Sequence, residues 1–147
     1  MNWKEYFRGI AHQVKLKSKD RYTQIGAVVV GNDNQIVSTG YNSFPRGIND
    51  MLDERQERPE KYYWFSHAET NAIVNAALNG VSTKNTKMYM SCGIPCTDCA
   101  RNIINSGIVE IIVENNPTGA IGFKWDEHAK RSIEMFNEAG VKITYFD

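Results

Sequence analysis

A chain of 147 residues in which seventeen lysines and arginines balance seventeen aspartates and glutamates carries no formal net charge. Its length suits one domain, here 1–147, and the charge balance excludes a long-range positive field that would gather a nucleic acid. The opening MNWKEYFRGI shows no cationic segment followed by an apolar run, and no stretch reaches the roughly 18 apolar residues of a membrane span, so a soluble, cytoplasmic protein with no membrane partner is expected. The three cysteines, Cys92, Cys96 and Cys99, crowd into eight residues, which suits a thiolate or metal site better than a disulfide framework.

In chain order, Trp3, Tyr6, Phe7, Ile10, Ala11 and Val14 recur at the period of an amphipathic helix, over residues 3 to 14. IGAVVV (25 to 30) and QIVSTGYN (35 to 42), joined by the turn residues GNDN (31 to 34), read as a β-hairpin. From Ser43 to Phe65 periodicity gives way to SFPRGINDMLDERQERPEKYYWF, too long for a simple connection and therefore a candidate functional loop. The chain then alternates: helix 67 to 79, strand 87 to 92, helix 96 to 106, strand 109 to 114, helix 126 to 138 and strand 141 to 146. Gly80, Gly107 and Gly140 stand where each helix ends, as a left-handed turn requires. Strands separated by whole helices pair in parallel, so the expected fold class is α/β, a three-layer α/β/α sandwich with a five-stranded mixed sheet.

Ser66-His67-Ala68-Glu69 fits the capping box S-x-x-E, which would make Glu69 a helix cap. Pro95-Cys96-Thr97-Asp98-Cys99 alters that reading. Two thiols three residues apart at a helix start share one face near the positive end of the helix dipole, which favours thiolates. Consecutive crossover helices begin at the same sheet edge, so His67 is placed to join them as a third ligand. One imidazole and two thiolates suit Zn²⁺ and leave a fourth position for water, the arrangement of a catalytic zinc, one per chain. Cys92 is read as core filler rather than as a fourth ligand, and His12 and His128 as surface or packing histidines. Glu69, two residues past His67, is placed to shuttle protons without ligating the metal. His-x-Glu followed by Pro-Cys-x-x-Cys is the zinc deaminase signature, in which activated water displaces an exocyclic amine as ammonia.

KSKDRYTQIGAVVV, STGYNSFPRGIND, HAETNAIVNAA and PCTDCARNIINSGI together resemble successive blocks of the deoxycytidylate (dCMP) deaminases of the cytidine deaminase superfamily, over nearly the whole chain. The resemblance implies a cytidine deaminase-like fold, a nucleotide substrate and a homo-oligomer, with a hexamer favoured. It further implies that Asn42 bonds the sugar, that backbone around Ala68 reads the pyrimidine edge, and that Ser18 and Lys19 lie near the 5′-phosphate. Arg46 is a second phosphate candidate, and Trp64 and Trp125 are read as anchoring their loops on the core rather than bordering the pocket.

The same resemblance implies dCTP and dTTP as effectors, arriving with Mg²⁺. Here Ser43 replaces the glycine of G-Y-N-G, and Leu78 stands where many family members carry an arginine, so effector control is expected to be weak. The implied reaction is hydrolysis of dCMP to dUMP and ammonia, supplying thymidylate synthesis. Other readings stay open: a deaminase of CMP, cytidine, cytosine, 5-substituted dCMP or tRNA adenosine, or a zinc-binding module without catalysis.

Overall fold

Apolar runs too short for helices and bounded by turn residues form the strands of the computed structural model, which describes residues 1–115 and 122–146, and of 122–126 the backbone alone. Helix α1 (Trp3–Val14) precedes strands β1 (Gly26–Val30) and β2 (Ile36–Tyr41). A short helix α2 (Lys61–Trp64) leads into α3 (Ala68–Leu78), β3 (Lys87–Met90), α4 (Thr97–Asn105), β4 (Glu110–Val113), α5 (Gly122–Ala139) and β5 (Lys142–Tyr145). The five strands form one sheet in the order β2-β1-β3-β4-β5. β1 runs antiparallel to both neighbours, and β3, β4 and β5 are parallel. This is the mixed sheet expected from the hairpin and the βα alternation.

Burial on both faces explains why β1 is apolar throughout: Ala27 and Val29 pack under α3 and α4, while Val28 and Val30 pack under Phe7 and Ala11 of α1. Gly80, Gly107 and Gly140 take φ of +70°, +83° and +79° at the helix ends. The predicted boundaries hold to within a residue or two with one larger difference, since α5 begins at Gly122 rather than 126. α1 is tied across the sheet edge by Arg8, whose Nε and Nη2 donate to Glu114 at 2.8 and 2.6 Å, and by His12, whose Nε2 lies 2.9 Å from the same carboxylate. Burial raises the pKa of Glu114, but its hydrogen bonds with Arg8 and His12 outweigh this and hold the carboxyl below its usual range. His12 is thus a packing histidine, as its isolation in the sequence implied. Among the described residues, no helix is long and apolar enough to cross a membrane.

The segment before α3 is less irregular than its composition suggests. Its neck is closed where Ser43 and Ser66 form an antiparallel bridge and the rings of Phe44 and Phe65 meet at 4.2 Å. Inside it lie a 3₁₀ turn, Asp53–Gln56, and α2. The turn is bound to the chain after α1: Gln56 donates to the Lys19 carbonyl at 2.9 Å and accepts from the Arg21 N–H at 3.2 Å.

Helix α3 lies close on β2 because its buried stripe, Ala68, Ala72 and Ala76, is small and faces a glycine. Ser38 Oγ donates to the Ala72 carbonyl at 2.7 Å, and the Asn71 and Asn75 side chains donate to the Tyr41 and Thr39 carbonyls at 2.8 Å each. A Cβ added at Gly40 would stand 2.3 Å from the Ala72 nitrogen and 2.5 Å from the Ala68 oxygen, both backbone atoms, so the whole helix would have to retreat. Gly40→Ala should therefore lower stability by about 1–3 kcal/mol, the usual cost of overpacking, read as a lower denaturant midpoint. An unchanged midpoint would show that this spacing is not limiting.

Candidate active site

β2 and β3 both lie antiparallel to β1, so they point the same way, and the helices that follow them, α3 and α4, start at one edge of the sheet. His67 is the N-cap residue of α3 and Cys96 that of α4, with Cys99 one turn further along. His67 Nδ1 lies 3.4 Å from each sulfur, and the three donor atoms fall within 4.8 Å of one another. A tetrahedral zinc with ordinary Zn–N and Zn–S bonds would set the N···S separation at about 3.5 Å. The donor set and its spacing fit the metal. Both thiols are buried, and His67 is open to solvent on one side.

The protons of the three groups are shared in the same sense. A hydrogen bond from Cys99, aided by one from His67, holds Cys96 down to about 4 against burial. The bond to Cys96 pushes His67 up to about 9, and the bond that Cys99 makes to the same sulfur pushes its own thiol up. Negative charge in the cluster thus falls preferentially on Cys96, and taking up a cation releases protons from the group.

Two groups that sequence reasoning missed hold Cys99. Thr70 Oγ1 lies 3.7 Å from its sulfur, and Asn102 Nδ2 donates to Thr70 Oγ1 at 3.1 Å. Either the hydroxyl or the thiol can donate in the Thr70–Cys99 contact; toward a thiolate it is the hydroxyl that donates, as outer partners of metal ligands commonly do. Thr70 lies three residues after His67 and Asn102 three after Cys99, so helical periodicity was the available signal. Cys92 stands apart from the cluster, its sulfur 3.5 Å from the Gly93 carbonyl, and burial pushes its thiol well up, in keeping with a protonated packing residue.

Glu69 corrects one sequence reading. The capping box does not form, because the N-cap is His67, without a side-chain cap bond, and the Ser66 N–H is taken at 2.8 Å by the Ser43 carbonyl. Glu69 is thereby freed, 3% exposed, with Oε1 lacking any hydrogen-bond partner among the described residues. A buried carboxyl oxygen without a partner is costly unless a ligand or water completes it. Burial raises the pKa of Glu69, and the charge on His67 opposes the rise.

A cavity opens beside this carboxyl, with the buried Ala68 and Glu69 at its inner end and Ile25, Phe65, His67 and Cys92 on its walls. Asn42 also lines it, buried and fully engaged: Oδ1 accepts from Ser18 Oγ at 2.6 Å and from the Ile25 N–H at 2.9 Å, and Nδ2 donates to the Thr23 carbonyl at 2.8 Å. Ser18 and Lys19 are not on the cavity wall. Ser18 spends its hydroxyl on Asn42, and Lys19 faces Asp50 at 3.9 Å. The cationic groups that line the cavity come instead from the long loop, as the exposed Arg58 at its opening and the largely buried Lys61 on its wall. Arg46 donates to Asn75 at 2.7 Å, away from this cavity, and His128 lies 3.0 Å from Thr97. Trp64 stacks under Arg55 at 3.7 Å, outside the cavity, while the Trp125 side chain lies outside the described residues.

The chain belongs to the cytidine and deoxycytidylate deaminase family, whose zinc-binding region matches residues 1–115. It is 34% identical to human deoxycytidylate deaminase over 99% of this chain and 80% of that protein, and 39% identical to the mouse deoxycytidylate deaminase over the same shares. The crystal structure of a dCMP deaminase from the cyanophage S-TIM5, in complex with dCMP and dUMP, has the same fold at a TM-score of 0.76, with 24% identity over 97% of this chain and 96% of that one.

His67→Ala and Cys99→Ala should each lose zinc and deaminase activity together, since two remaining ligands hold the metal weakly. Glu69→Gln should keep one zinc per chain and the fold while turnover falls by about 10²- to 10⁴-fold, the usual contribution of one acid–base group. Metal analysis beside ammonia release separates the two cases. A Glu69→Gln enzyme within a few-fold of the parent would leave Glu69 without a chemical role.

Proposed function

We propose that the chain is a dCMP deaminase, one catalytic domain spanning 1–147 that hydrolyses dCMP to dUMP and ammonia and so supplies thymidylate synthesis. The observation that carries this is the buried Glu69 carboxyl, its Oε1 without a hydrogen-bond partner among the described residues, beside the His67, Cys96 and Cys99 cluster, at the inner end of a cavity that opens toward Arg58. The relatives named for dCMP supply the substrate.

In this reading His67, Cys96 and Cys99 hold one Zn²⁺, and the chemistry a bound zinc supplies is Lewis-acid activation of a water. Glu69 takes the two protons of the attacking water in turn, passing one to the ring nitrogen and the other to the departing amine, which leaves as ammonia while the water oxygen becomes the carbonyl. The burial of Glu69 suits this task, because a carboxyl whose pKa is raised is a stronger base than an ordinary carboxylate and still gives up its proton. The free N–H groups of the first turn of α3, beginning at Ala68, face the pyrimidine edge, since no side chain caps that helix. Asn42 meets the sugar by exchanging one of its present bonds, and Ser18 holds Asn42 in place. Lys19 contributes longer-range positive charge rather than a direct bond.

Val74 and Leu78, 51% and 66% exposed, leave an apolar strip on the outer side of α3 that is consistent with a homo-oligomer, and the family resemblance favours a hexamer. A nucleotide substrate is consistent with a cytoplasmic location. Ammonia release across dCMP, CMP, deoxycytidine, cytosine, 5-methyl-dCMP and dAMP tests the reading. The expected result is preference for dCMP. Faster turnover of a free base, a nucleoside or an adenine nucleotide would reassign the substrate.

Control by dCTP or dTTP with Mg²⁺ is expected to be weak. An effector triphosphate needs several donors, and the exposed Leu78 presents none where an arginine fork would stand. Ser43 is committed to its bridge with Ser66. An effector shifts an equilibrium only by its differential affinity for the two states. Initial rates against dCMP should therefore be substantial without effector and shift only modestly when either triphosphate is added. A strongly sigmoidal curve made hyperbolic by dCTP would overturn this expectation.

A further inference from the structure

Of the cations carried by the long loop, Arg58 and Lys61 line the cavity, and their surroundings differ. Lys61 is already paired: its ammonium lies 2.7 Å from Asp20, and the two side chains are 15% and 6% exposed. That carboxylate is itself held by the N–H groups of Tyr22 and Thr23 at 2.9 and 3.2 Å, so the two charges cancel at the cavity wall. Arg58 has no carboxylate within ion-pair distance among the described residues, and its guanidinium lies 5.6 Å from the centre of the Tyr62 ring. The loop around it is nevertheless held on both sides, because Gln56 and Lys61 are each bound to the segment after α1.

From this placement we infer that Arg58 is the residue that selects the 5′-phosphate of the substrate, an inference that rests on the dCMP reading. The reacting carbon must sit at the buried inner end, beside Glu69, which directs the rest of the nucleotide toward the opening where Arg58 stands. A phosphate monoester brings close to two negative charges at neutral pH, and a guanidinium offers a planar fork of donors to its oxygens. Lys61 already has its charge offset by Asp20, a buried carboxylate, so its pull on a further anion is weakened. Lys19, the residue suggested by the sequence, is turned toward Asp50 and is off the cavity wall.

The test compares kcat/KM for dCMP and for deoxycytidine in the parent enzyme, Arg58→Ala and Arg58→Lys, at equal zinc content and with unfolding midpoints measured alongside. One charge-assisted bond predicts that Arg58→Ala loses about tenfold to a hundredfold more on dCMP than on deoxycytidine, chiefly through KM. Arg58→Lys should recover part of that loss, and inhibition of deoxycytidine turnover by inorganic phosphate should weaken in Arg58→Ala. Equal losses on both substrates, or none, in an enzyme whose parent prefers dCMP would overturn the role of Arg58 and leave the dCMP reading standing. A parent enzyme that treats dCMP and deoxycytidine alike would overturn both.

Discussion

The close seating of α3 on β2 is the constraint on which the site depends. Gly40 lets the backbone at Ala68 and Ala72 approach the strand, and side chains of Ser38, Asn71 and Asn75 bind the two elements at fixed height. His67 and Glu69 stand at the first turn of that helix, so the helix–strand distance sets where the imidazole meets the sulfurs of α4. A tightly packed interior transmits small displacements, and a metal site tolerates few of them.

Glu69 shows how a local preference yields to the surroundings. Its S-x-x-E context favours a capping box, which would have tied the carboxyl to backbone. The bridge between Ser43 and Ser66 takes the Ser66 N–H first and also closes the neck of the long loop. The carboxyl is left buried with Oε1 unpartnered among the described residues, a state that is unfavourable in the free protein and useful for moving protons.

The long loop has a matching division of labour. Gln56, Lys61 and Asp20 bind it to the segment after α1, through bonds that are largely shielded from solvent. The residues left over at the opening, Arg58 and Tyr62, are exposed and little committed. A rigid support with free side chains at its edge is what substrate recognition needs.

The elements and the zinc ligands were legible in the sequence because both are short-range patterns. Apolar periodicity reports which face of an element is buried, and Cys96 and Cys99 lie within one helical turn, so their spacing alone brings them together. His67 could be added because strand direction determines the edge at which a following helix begins. Thr70 and Asn102 follow the same periodicity but carry no distinctive chemistry, and so they passed unnoticed. Tertiary structure alone decided the fate of Glu69, the commitment of Ser18 and Asn42, and the arrival of Arg58 and Lys61 at the cavity. Each of these depends on hydrogen bonds between residues far apart in the chain, Ser43 with Ser66, Ser18 with Asn42, Gln56 with Lys19 and Lys61 with Asp20. Such bonds form only after the sheet has brought the loops together, and no local spacing encodes them.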